Sequence, residues 1–162
     1  MIAFIEGILE EKNPAYLVIN CQGVGYLLHI SLHTYSALPD KGAVRVLTHQ
    51  IVREDAHLLY GFADKAEREL FRHLISVSGV GANTARMILS SMPPREISAA
   101  IISKNVQMLQ SIKGIGAKSA QRIVVDLKDK LEKEGISGAE NLVYTDNTIQ
   151  EEALSALVML GF

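Results

Sequence analysis

The sequence predicts an α+β protein of more than one domain, with a small N-terminal β-barrel followed by a helical domain. Three observations carry this. The first third of the 162 residues breaks into short runs rich in Ile, Val, Leu and Tyr. From residue 64 onward the apolar residues recur at three and four positions, the helical period. The charge also changes along the chain. Residues 1–63 hold 4 basic against 6 acidic side chains, 64–133 hold 12 against 7, and 134–162 hold none against 5. A whole-chain net charge of −2 thus conceals a basic middle, which points to an anionic partner for that segment alone.

The strand runs are "MIAFIEGILEE", "AYLVINC", "GYLLHIS", "AVRVLTHQIV" and "HLLYGF", separated by "KNP", "QGVG", "PDKG" and "REDA". Five or six short strands within residues 1–63 suit a closed Greek-key barrel of the oligonucleotide-binding (OB) type, with a small sandwich as the alternative. "GVG" at 23–25 reads as a hairpin turn, and Tyr16, Tyr26 and Tyr35 as barrel core. The single cysteine, Cys21, reads as a buried reduced thiol, and one cysteine builds neither a disulfide nor a cysteine zinc site. His29, His33, His49, His57 and His73 lack ligand spacing, so no metal site is expected. The start carries early glutamates rather than a basic-then-apolar leader pattern, and no apolar run approaches the ~20 residues of a membrane span. A reducing cytoplasm is the expected location.

In the helical part, "DKAERELFRHLI" places Leu70, Phe71, Leu74 and Ile75 on one face. Pro93 and Pro94 end one helix, and residues 95–103 begin another. The basic helical domain spans 64–133 and is followed over 134–147 by a polar stretch expected to be a linker of low order. The last segment, 148–162, is amphipathic, with Ile149, Ala153, Ala156, Leu157 and Leu160 along one side. One short helix cannot bury such a face alone, so it docks elsewhere or the chain stops partway through a third small domain.

Shifted by 35 residues, the middle of the chain aligns with itself: "SVSGVGANTARMIL" (76–89) lies over "SIKGIGAKSAQRIV" (111–124). Gly79 and Gly81 match Gly114 and Gly116, and Val77 and Val80 match Ile112 and Ile115. The unit is helix, Gly–apolar–Gly turn, helix. Glycines without Cβ let backbone N–H groups face a ligand, and the following helix adds its free N–H groups and the positive end of its dipole. That is a phosphate site. A dinucleotide fold is excluded because Thr84 and Ser119 stand where its third glycine belongs. A P-loop is excluded because Ala117 separates Gly116 from Lys118. One pocket suits any phosphorylated ligand, whereas two at a fixed separation suit a nucleic-acid backbone read without regard to sequence. Gly79, Gly81, Asn83, Lys113, Gly114, Gly116, Lys118 and Arg122 are therefore the candidate DNA-phosphate residues, with the cations giving the salt-dependent part of the affinity.

This tandem helix–hairpin–helix behind a small barrel resembles the RuvA family, the bacterial Holliday-junction-binding subunits of the RuvAB branch-migration complex. "VREDAHLLYGF", "SGVGANTARMILS" and "KGIGAKSAQRIVVDLKDK" carry the resemblance, which spans roughly residues 1–160. It implies a non-catalytic subunit serving DNA recombination, repair and the SOS response to DNA damage. Its assembly would be a homotetramer, sometimes doubled face to face to an octamer, that holds a four-way junction open and planar. It implies no cofactor for this chain, since ATP and Mg²⁺ are used by the partner RuvB, a hexameric ATPase; the RuvC resolvase is a further partner. It also gives Glu54 and Asp55 a role as an acidic pin at the tetramer centre; the residues alone read as a solvated hairpin tip. The C-terminal segment matches the first helix of a small UBA-like RuvB-binding domain, with Leu154, Leu157 and Leu160 as partner-binding residues and the rest of that domain missing. Two positions depart from the pattern, Asn83 and Ala117, where many relatives place lysine.

Competing readings are a helix–hairpin–helix repair nuclease or lyase, a generic duplex-binding protein, and a protein-interaction module using the acidic terminus. Against the first, the sequence displays no Asp/Glu/His cluster able to hold a catalytic metal.

Overall fold

The computed structural model describes the backbone of residues 1–159, with side chains described for 1–135 and 156–159. Five strands form a closed barrel: β1 (Phe4–Lys12), β2 (Tyr16–Cys21), β3 (Val24–His29), β4 (Gly42–Val52) and β5 (His57–Phe62). Their order is β1-β2-β3-β5-β4, closed by pairing of β4 with β1, and all pairs are antiparallel except β3 with β5. Alternation sends Val44 and Val46 inward to meet Ile5, Leu17, Ile19 and Leu28, the last three fully buried. β1 bends against β2 at a register shift between Leu9 and Glu11. Gly7 permits a close approach, because a Cβ there would lie 2.3 Å from the Asn20 carbonyl oxygen.

The β2–β3 hairpin turns at Gln22–Gly23, both with positive φ (53° and 94°), the two-residue geometry that matches strand twist. Gly25 already pairs with Asn20 in the ladder, so the turn expected at 23–25 is centred earlier. Cys21 is half-buried rather than fully buried and donates its thiol proton to the Glu6 carbonyl (3.2 Å). An element that the sequence reading does not assign, helix α1 (Leu32–Ala37), lies in the connection from β3 to β4. Its signal is local: Ser31 accepts the Thr34 N–H as N-cap. Six residues are too few to show a period.

Five further helices follow: α2 (Lys65–Ser76), α3 (Ala82–Ser91), α4 (Pro94–Ile102), α5 (Val106–Gln110) and α6 (Ala117–Met159). Asp64 caps α2 by accepting the Glu67 N–H (2.8 Å), and Pro94 starts α4, where a missing N–H costs nothing. Leu70, Phe71, Leu74, Ile88, Ile97, Leu109, Ile123 and Leu127 form one core. Tyr60 and Phe62 of β5 belong to it, their rings 5.1 and 4.9 Å from that of Phe71, so barrel and helices share buried surface.

Polar bonds complete this seam. The buried Glu67 carboxylate accepts from the hydroxyls of Ser31 and Thr34, and Thr34 also accepts the Ala63 N–H. Burial pushes the Glu67 carboxyl above its ordinary range, and Asp64 adds to the shift; the two hydroxyls and His33 oppose it. His49 accepts from Arg72 Nε (3.3 Å), and burial, then Arg72 and Arg68, lower its pKa against the pull of Glu69.

Helix α6 runs continuously through 134–147, where the sequence suggests a linker, and on to Met159 within the segment expected as a separate terminal helix. The stretch contains no proline, and its glycines, Gly135 and Gly138, each disfavour a helix interior by only about 1 kcal/mol. Polar composition alone does not stop a helix. The side chain of Leu154 and all of Leu160 lie outside the described residues, while Leu157 is exposed.

Candidate nucleic-acid interface

The 35-residue repeat is reproduced bond for bond. In the first motif Val77 N donates to Leu74 O (3.2 Å), Val80 N to Val77 O (3.1 Å) and Ala85 N to Gly81 O (2.9 Å). In the second, Ile112 N donates to Leu109 O (3.2 Å), Ile115 N to Ile112 O (3.1 Å) and Ala120 N to Gly116 O (3.0 Å). Gly79 and Gly114 take φ of +88° and +91°, the left-handed region that requires glycine. Val77, Val80, Ala85 and Ile88, with their counterparts Ile112, Ile115, Ala120 and Ile123, are buried and pin each turn to its helices. Gly81 and Gly116 have a different reason to lack a side chain. A Cβ at either meets nothing in the protein within 4 Å, and neither backbone is left-handed. Their bareness leaves open space beside the first N–H groups of α3 and α6, suited to an outside group that comes close to the backbone.

The charged candidates divide. Lys113 and Lys118 are exposed on either side of the second turn. Asn83 is exposed beside the first, and its Oδ1 accepts from Tyr60 OH (3.3 Å), which ties that turn to the barrel. Arg122, on the helix of the second motif, reaches the first turn, where Nη1 donates to Ser78 O (3.1 Å). Sequence spacing alone places it with Lys118. Arg86, which the sequence pattern does not mark, crosses from α3 to the barrel and donates to Ala15 O (3.0 Å). Burial, then Arg86, lower the pKa of His29.

Glu54 and Asp55 form the exposed tip of the β4–β5 hairpin, closed by Arg53 N donating to Ala56 O (2.8 Å). One grouping of metal-capable side chains occurs among the described residues: ligand atoms of His33, Asp64 and Glu67 lie within 4.8 Å of one another. His33 stands 31 residues before Asp64, too far in sequence to suggest it. Both Glu67 oxygens already accept hydroxyl protons and Asp64 Oδ1 caps α2, so the group is built as a joint between domains. No helix of the described residues is long and apolar enough to cross a membrane.

Two family models match the chain: the RuvA N terminal domain over residues 1–61, and the SAM-like helix-hairpin-helix tandem over residues 71–129. Among curated proteins, three named "Holliday junction branch migration complex subunit RuvA" align with all of this chain. That of Christiangramia forsetii is 59% identical and that of Flavobacterium psychrophilum 53%, each covered over 83% of its length. That of Bacteroides fragilis is 50% identical and covered over 84%.

Proposed function

The chain belongs to the RuvA family, and from that membership we propose that it binds four-way junction DNA as the DNA-binding subunit of a branch-migration complex. The observation that carries the reading is the pair of matched turns. Each opens its backbone N–H groups beside a bare glycine, within the basic segment of the chain. Contacts of this type are made to phosphates and disregard base sequence, so specificity comes from the shape of the DNA. Gly79, Gly81, Gly114 and Gly116 approach the strand, and Lys113, Lys118 and Arg122 neutralise it.

The finer parts of the reading rest on the family. A homotetramer brings four copies of Glu54 and Asp55 to the crossover, where repulsion from phosphates keeps strands apart and guides them into the arms. The terminal segment with Leu154, Leu157 and Leu160 engages RuvB, which supplies ATP hydrolysis; this chain acts as a binding subunit and not as an enzyme. Cytoplasmic residence and a contact with RuvC complete the picture.

The test is titration of a labelled four-way junction with the chain and with its Gly81→Val/Gly116→Val double variant. Binding lost in the variant while its fold persists supports the reading. Undiminished binding contradicts it, and strand cleavage on adding Mg²⁺ favours the nuclease alternative.

A further inference from the structure

The 35-residue shift that relates the two turns also relates Met87 to Arg122, Ser78 to Lys113 and Asn83 to Lys118. The structure sends the first pair across the repeat. A methyl group built on Gly114 would lie 3.6 Å from Met87 Cε, and one on Gly79 would lie 3.4 Å from Arg122 Nη1. Each motif thus lends the other a side chain, from equivalent helix positions to equivalent glycines. The exchange is symmetric in place and asymmetric in chemistry, with a thioether on one side and a guanidinium on the other.

The asymmetry falls where charge is missing. The second turn is flanked by Lys113 and Lys118, whereas Ser78 and Asn83 leave the first turn without a cation of its own. Arg122 anchors on the carbonyl of Ser78, the residue that replaces lysine in the first motif. A guanidinium has five donors in a planar fork, and a single bond to a carbonyl neither neutralises it nor uses up the fork. No ion pair to Arg122 forms among the described residues.

We propose that Arg122 is the cation of the first turn: carried by the second motif, it holds the Gly79–Gly81 backbone in place and supplies a phosphate there with the charge that Ser78 and Asn83 lack. The inference rests on the reading of the two turns as phosphate sites. It makes them one coupled unit, since loss of a residue in the second motif disables the first.

The experiment is a double-mutant cycle on a labelled four-way junction, measured over a salt series with the full chain, and with thermal unfolding of each variant. Arg122→Met, which copies the other side of the exchange, weakens binding about tenfold, the scale of a hydrogen-bonded charge contact. It also makes the salt dependence shallower by about 0.9 per engaged protomer. In the Gly81→Val background, where the first turn is already obstructed, Arg122→Met has little further effect. In the Gly116→Val background its full effect remains. Arg122→Lys restores the salt slope but not the full affinity, since a single ammonium cannot serve carbonyl and phosphate together. The opposite pattern, with the effect lost only in Gly116→Val, assigns Arg122 to its own turn and overturns the proposal. So does an equal effect in both backgrounds, or a drop in melting temperature with an unchanged salt slope, which marks a brace without a charge role. If neither glycine variant weakens binding, the turns hold no phosphate, and the proposal falls together with the reading beneath it.

Discussion

At the scale of single residues, sequence spacing served the backbone better than the side chains. The glycines of both turns were legible because a left-handed φ and an open approach leave a repeated mark, Gly–x–Gly, whatever the surroundings. Arg122 was legible as a cation but not as a neighbour of Ser78, because that contact spans 44 residues and depends on how two motifs pack. The grouping of His33, Asp64 and Glu67 was hidden for the same reason. Glu54 and Asp55 illustrate the limit of local reading, since an exposed acidic hairpin tip has the same sequence whether or not it meets DNA. If they form the proposed pin, Glu54→Gln with Asp55→Gln removes repulsion: junction affinity stays level or rises, and preference for junction over linear duplex falls several-fold. Competition binding measures both, and a large loss of affinity contradicts the pin.

At the scale of elements, the five strands and the helices of the repeat followed from apolar period. Helix α1 did not, being too short for a period, and α6 overran the polar segment at 134–147 because composition without proline does not end a helix. The joint between barrel and helices is where element-level predictions lie. Glu67→Ala leaves the buried Ser31 and Thr34 hydroxyls without the acceptor of their protons, and we expect a loss of about 2–4 kcal/mol in urea denaturation. A change under about 0.5 kcal/mol contradicts a structural role. His49 gives the joint a pH dependence. Burial and its neighbouring arginines lower its pKa from 6.5, so the folded state disfavours the proton. The stability it contributes is present above pH 6.5 and is lost as pH falls through the lowered folded value. The melting-temperature advantage of the wild type over His49→Gln therefore shrinks on acidification below pH 6.5, and a constant gap contradicts this account.

At the scale of the whole molecule, the shared core of Tyr60, Phe62 and Phe71 makes barrel and helices one body. The two turns are thus presented by a scaffold tied to the barrel through Asn83 and Arg86. That connection was not visible in the sequence, which divided cleanly at residue 63 because periodicity reports each element and not what lies between elements. The segmental charge was visible, and it carried the functional reading further than the near-neutral total. Paired phosphate contacts on one scaffold imply that the protein reads DNA geometry. The most direct measurement is competition between a labelled four-way junction and linear duplex of the same sequence, at two salt concentrations and without magnesium. We expect a strong preference for the junction that persists at the higher salt, where screening has weakened contacts to both DNAs alike. Equal affinity for the two, vanishing together as salt rises, would contradict it and leave a general duplex-binding hairpin protein.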